Sequence, residues 1–80
     1  MNKYFALRKT NRMRTELLTE KSQEQLKEVI RYLRRVSWDF CGIELVRSDL
    51  LDIAIQANKE NQELFHSISD AKTFVEEVKP

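Results

Sequence analysis

Cys41 and His66 are the residues of this chain whose types are most often nucleophiles or metal ligands. A zinc site needs three or four His, Cys or carboxylate ligands at close spacing, and a cysteine nucleophile also needs an orienting residue and an oxyanion site. The two residues fall on different predicted segments, and no such partners surround them. We therefore interpret both as structural residues and expect no metal site.

Two pairs of carboxylates, Asp49 with Asp52 and Glu76 with Glu77, are the other candidates for acid–base chemistry. Asp49 and Asp52 lie about one turn apart on the polar side of a predicted helix, and a solvated face explains them more simply. The single glycine, Gly42, leaves no glycine-rich loop for a phosphate. The sequence predicts no catalytic residue and no cofactor, so we interpret the protein as not an enzyme.

The charge of the chain is divided between its two halves. Residues 1–40 carry ten Lys or Arg and five Asp or Glu, whereas residues 41–80 carry four and eight. Such asymmetry is typical of proteins that meet nucleic acid, lipid headgroups or an acidic partner. Basic residues of the first two predicted helices, with one tryptophan, are the candidate contacts for a partner or nucleic acid: Arg8, Arg12, Arg14, Lys27, Arg31, Arg34, Arg35 and Trp38.

Trp38 leaves two interpretations of this basic surface open. Arginines around an exposed tryptophan provide phosphate contact and base stacking, but large aromatic side chains are more often buried against a neighbouring helix. A helix-turn-helix around Gly42 is disfavoured. Its recognition helix would begin with residues 43–49, which are mostly apolar or acidic. The first turn of a recognition helix contacts base edges mainly through basic and amide side chains.

The scarcity of glycine and proline predicts an all-α fold, because strand-rich small domains need turns. Hydrophobic periodicity predicts helices over residues 2–18, 23–40 and 43–58, and a last helix that starts at Ser67 or Ser69. We expect one helical domain over residues 1–80, an irregular three- to four-helix bundle, with residues 1–10 as an alternative basic arm. Ser22 and Gln25 fit a capping box, and Gly42 suits a left-handed C-cap.

The third predicted helix is apolar over nearly half of its circumference, which predicts a central position in the bundle. The second predicted helix has the clearest amphipathic pattern. From these stripes and that of the last helix, the predicted core is Leu26, Val29, Ile30, Leu33, Val36, Leu50, Ile53, Ala54, Ala57, Phe74 and Val78.

The environment of the protein is predicted from composition. A single cysteine excludes an internal disulfide and favours a reducing compartment. No stretch approaches the roughly 20 apolar residues of a membrane span. A cytoplasmic location is the expectation, and the small size of the core together with the broad apolar arc favours a homodimer.

The order of several short motifs resembles a small all-helical bacterial family of unknown function. The matching pieces are Leu18 and Thr19 before a helix that contains residues 30–33, residues 49–53, Ala57, and the closing residues 70–74. Members of that family are commonly found beside PadR-type transcriptional regulators. The resemblance implies an irregular four-helix array, no cofactor, and a role coupled to a transcription regulator.

Three functions remain open at this point. We expect a non-enzymatic helical protein-interaction module, with a transcription regulator as a candidate partner. The alternative is a nucleic-acid-binding protein that uses the basic half without sequence specificity. A further alternative is an immunity-type or antitoxin-like helical protein.

Overall fold

The structure is a computed structural model, and it describes residues 3–36 and 39–78. It confirms the all-α prediction: those residues contain five helices and no strand. The helices are α1 (Lys3–Thr15), α2 (Glu20–Val36), α3 (Phe40–Lys59), α4 (Leu64–Ile68) and α5 (Ala71–Val78). Residues 3–10, for which a basic arm was the alternative, form the first part of α1.

α3 lies at the centre, as its broad apolar arc predicted, and contacts α1, α2 and α4. α1 runs in the same direction as α3, since Asn11 bonds to Glu44 and Thr19, just after α1, bonds to Asn58. α2 runs in the opposite direction to α3, because Ser22, near the start of α2, bonds to the same Asn58 near the end of α3. α5 packs on α2, and α4 packs on both α2 and α3. The result is an irregular bundle in which α1 and α2 are both placed by α3.

The core lies between α2, α3 and the last two helices. Seven of the predicted core residues are buried: Leu26, Val29, Ile30, Leu33, Leu50, Ala54 and Ala57. Ile53 and Phe74 are partly buried against this cluster. The prediction was wrong for Val36 and Val78, which are 44% and 43% exposed. Each is the last described residue of its helix, at the margin of the cluster in which the other residues of its stripe are buried.

Gly42 was predicted to end the second helix, and this prediction was wrong. It lies in the first turn of α3. α3 begins instead at the N-cap Asp39, whose Oδ1 accepts a hydrogen bond of 3.0 Å from the Gly42 amide. A Cβ atom at position 42 would lie 2.7 Å from Asp39 Oδ2. Glycine therefore permits the close approach of the cap, and its φ is not positive.

The Ser22–Gln25 capping box was also wrong. Thr19 caps α2, because its Oγ1 accepts from the Ser22 amide at 3.2 Å. The Ser22 side chain is fully buried, where its Oγ accepts from Asn58 Nδ2 and from the Leu64 amide. Gln25 accepts from the Phe65 amide. Both side chains hold the start of α4, which is the helix that sequence periodicity missed.

The last helix was predicted to start at Ser67 or Ser69, and this prediction was wrong. Ser67 lies in α4, and α5 starts at Ala71, with Asp70 before it as the N-cap. Its Oδ1 accepts a 2.8 Å hydrogen bond from the Thr73 amide. The Thr73 backbone bond, followed by the Thr73 hydroxyl, lowers the pKa of the Asp70 carboxyl below its usual value. Among residues 3–36 and 39–78, no helix combines the length and the hydropathy that crossing a membrane requires.

Candidate basic groove between α1 and α2

A depression of about 490 Å³ lies between α1 and α2, above the first half of α3. A second depression, of about 430 Å³, lies beside it and is lined by α2 and by Arg47 of α3. Arg34 and Arg47 line both of them, so the two depressions adjoin. We call the two depressions together the basic groove. Its basic side chains come from three helices: Arg8, Arg12, Lys27, Arg31, Arg34, Arg35 and Arg47.

The larger depression combines charge with apolar surface. α1 supplies Arg8 and Arg12, and Tyr4 and Phe40 lie near the first turns of α1 and α3. Ile43 forms part of the floor and is almost fully buried, whereas Phe40 is 60% exposed. This end of the groove therefore offers an aromatic ring to solvent beside two arginines.

A buried polar cluster supports the floor of the groove and fixes α1. Asn11 is fully buried, and its Nδ2 donates to the Glu44 carbonyl oxygen at 3.0 Å and to Glu44 Oε1 at 3.1 Å. Arg47 Nε lies 3.3 Å from the same carboxylate oxygen and forms an ion pair with it without a hydrogen bond. Glu44 therefore offsets the charge of Arg47, and the unbalanced positive charge of the groove belongs to α1 and α2.

The smaller depression is lined by basic side chains over a buried Ile30, without any acidic residue. Lys27, Arg31 and Arg35 follow each other at four-residue steps on α2 and are exposed. The guanidinium of Arg35 lies 5.1 Å from the ring centroid of Tyr32, a distance typical of a cation–π contact. This contact orients Arg35 without neutralising it.

The exposed arginines of the groove are available to an external anion. Arg8, Arg12, Arg31 and Arg34 are exposed, and none of them forms an ion pair with any residue in the described ranges. Clustered cations without partners raise the local positive potential and attract anionic groups. Guanidinium groups also bind carboxylate or phosphate through two parallel hydrogen bonds.

Six of the eight predicted contact residues line the basic groove: Arg8, Arg12, Lys27, Arg31, Arg34 and Arg35. Arg14 does not. Its guanidinium pairs with Asp52 and donates to Ser48 Oγ at 3.4 Å, which attaches α1 to α3. Trp38 lies outside the described residues.

The sequence interpretation missed Arg47 and Phe40 in the groove, and Glu44 and Asn11 beneath it. Arg47 lies in the acidic half of the chain, so the charge division directed attention away from it. A signal was present, because Arg47 follows Ile43 by four residues and therefore lies on the apolar face of α3.

The residues first considered for catalysis are not brought together. Cys41 lies in the first turn of α3, and His66 lies on α4, which begins near Asn58 at the other end of α3. Seventeen residues of helix separate Cys41 from Asn58, a distance of roughly 25 Å at 1.5 Å per residue. Asp52 is paired with Arg14. Within the described ranges, no three His, Cys, Asp or Glu residues are grouped to hold a metal ion.

No family model, curated protein or solved structure matches this chain. The resemblance to the family found beside PadR-type regulators therefore stays a prediction.

Proposed function

We propose that this protein is a non-enzymatic helical interaction module that binds an acidic segment of a protein partner in the basic groove. The observation that carries the proposal is the convergence of seven basic side chains from three helices on two adjoining depressions. Arginine side chains without ion-pair partners gain charge-assisted hydrogen bonds when a carboxylate arrives. The function is therefore electrostatic recognition, without a chemical step.

A protein partner fits this groove better than a nucleic acid does. Phe40 and Tyr4 add aromatic surface at one end, and aromatic residues with arginine are enriched at protein interfaces. A transcription regulator is the first partner to test, because the family that the chain resembles is found beside such regulators.

Non-specific nucleic-acid binding is the second candidate, and one observation favours it. The smaller depression presents Lys27, Arg31, Arg34 and Arg35 without any acidic neighbour among its lining residues. Such a cluster suits phosphate groups. Its affinity would fall steeply with salt and ignore sequence.

Charge reversal tests the proposal. The groove variant combines Arg12→Glu, Arg31→Glu and Arg34→Glu, and the control variant combines Lys9→Glu, Lys59→Glu and Lys72→Glu. All six residues are exposed, and the control residues lie outside both depressions. The two variants carry the same change in net charge, and circular dichroism checks that both keep their helicity.

The binding measurement uses a protein partner first found by cross-linking and then purified. Titration calorimetry should show that the groove variant loses at least about tenfold in affinity, since each lost charge-assisted contact is worth about 1.5–3 kcal/mol. The control variant should bind like the parent protein. Equal affinity of the groove variant and the parent would contradict the proposal. Binding of oligonucleotides that only the groove variant loses would favour the second candidate.

A further inference from the structure

We infer that the occupant of the basic groove is an amphipathic acidic helix, with carboxylates spaced four residues apart and one bulky apolar side chain at the end beside Phe40. This inference rests on the proposed function and adds the conformation and sequence pattern of the partner segment. It follows from the spacing of the basic side chains, the position of the apolar end and the length of the walls.

The spacing of the walls favours a helix. On α1, Tyr4, Arg8 and Arg12 follow at four-residue steps along one wall. On α2, Lys27, Arg31 and Arg35 follow at the same four-residue steps along the adjoining smaller depression. A four-residue step rises about 6 Å along a helix, so carboxylates four residues apart on a bound helix have the same spacing. A helix laid lengthwise in the groove can therefore place successive carboxylates beside successive basic side chains.

The two depressions of the groove differ, and the difference orients the ligand. The smaller depression has only basic side chains over Ile30. The larger depression includes Tyr4, Phe40 and Ile43, where the first turns of α1 and α3 meet. A purely acidic ligand would leave the exposed ring of Phe40 in water, whereas an apolar side chain on the ligand would cover it. Apolar anchors in such pockets usually carry much of the binding energy.

The length of the groove sets the length of the ligand. The α1 wall extends from Tyr4 to Thr15, twelve residues with a length of about 17 Å at the helical rise. A helix of about 12 residues matches this distance. Placing a helix in a groove between two others is a recurring mode of peptide recognition, with anchors at positions i, i+4 and i+7.

The test uses two labelled peptides of identical composition and a thymidine oligonucleotide of about 15 nucleotides. The patterned peptide is a helix of about 12 residues, with glutamates every fourth position and one terminal phenylalanine on the same face. The scrambled peptide places the same glutamates around the whole helix. Fluorescence anisotropy at near-physiological salt should show the patterned peptide binding at least about tenfold more tightly than the scrambled one.

A double-mutant cycle tests the apolar end. Replacing the phenylalanine of the patterned peptide with alanine should weaken binding to the parent protein by about tenfold. The loss should fall below about threefold on the Phe40→Ala variant. Phe5→Ala is the matched control, because Phe5 is also 60% exposed and lies outside both depressions. Phe5 touches the Tyr4 ring, so this control also reports any effect transmitted through Tyr4.

Three outcomes would overturn the inference. Equal binding of the two peptides would show attraction by charge alone, and absence of binding by both would exclude an acidic helix as the occupant. Binding of the oligonucleotide in preference to the patterned peptide would assign the groove to nucleic acid. The proposed function is decided separately, by the purified partner and the charge-reversal variants. A partner that binds through the groove without an acidic helix would refute only this inference.

Discussion

α1 and α2 both pack on α3, but they are attached by different kinds of contact. α2 buries Leu26, Val29, Ile30 and Leu33 in the core. The residue that α1 buries is Asn11, and its apolar Phe5 and Met13 are 60% and 62% exposed. α2 is therefore held by apolar burial, whereas α1 is held largely by hydrogen bonds and an ion pair.

This difference matters because α1 lines the larger depression of the basic groove and α2 lines both depressions. Apolar burial is additive over many atoms and nearly independent of pH and salt. The attachment of α1 depends on a few groups, mainly Asn11 with Glu44 and Arg14 with Asp52. We therefore expect the α2 wall to be as stable as the whole fold and the α1 wall to open at a lower free energy.

The largest expected effect comes from removing apolar contacts on the α2 side. Leu33→Ala should cost about 2–5 kcal/mol, because it leaves a cavity in the core, and a domain of this size has little stability to spare. Leu17→Ala is the control, since Leu17 follows α1 and is 73% exposed. Its expected cost is below about 0.5 kcal/mol. Urea unfolding followed by circular dichroism measures the stability of both variants. Similar unfolding midpoints would show that α2 is not held by apolar burial more strongly than α1.

The α2 side is also the part of the fold that the sequence predicted best. Its apolar residues recur at three- and four-residue steps, and they contribute four of the seven confirmed core residues. Periodicity is informative there because burial selects the same face along the whole helix. The basic residues of α2 were found for the same reason, since they occupy the opposite sector of a clear pattern.

The α1 side and the helix ends were predicted poorly, and the reason is physical. A polar residue that is buried and paired, such as Asn11 or Ser22, has no signature in a hydrophobic pattern. Ser22 has the residue type and spacing of an N-cap, but tertiary bonds to Asn58 and Leu64 use its hydroxyl. Local motifs fail where a distant segment competes for the same group. Arg14 was assigned to the binding surface because its partner Asp52 lies on another helix.

A smaller effect is expected from weakening the attachment of α1. Asn11→Ala removes both side-chain bonds to Glu44 and should cost about 1–3 kcal/mol. Because the cost falls on one wall, amide hydrogen exchange should accelerate along α1 and remain unchanged along α2. Thr10→Ala is the control, since Thr10 is exposed on the same helix. Equal acceleration in α1 and α2 would show that the two helices open as one unit.

The smallest effect is expected from Asp70, whose carboxylate caps α5, the helix that packs on α2. The Thr73 bonds lower the pKa of Asp70 in the folded state, so the ionised carboxyl stabilises the fold above the unfolded pKa. That contribution is lost as the pH falls through the folded pKa.

Asp70→Asn keeps a capping oxygen but does not titrate. The difference in stability between the parent and this variant should be constant from neutrality to about pH 5 and shrink toward about pH 2. Thermal melts of both proteins across this range measure the difference, and carboxylates elsewhere titrate in both and cancel. An advantage that persisted at the acidic end would show that the charge of Asp70 does not support α5, and that charge-dependent attachment is confined to α1.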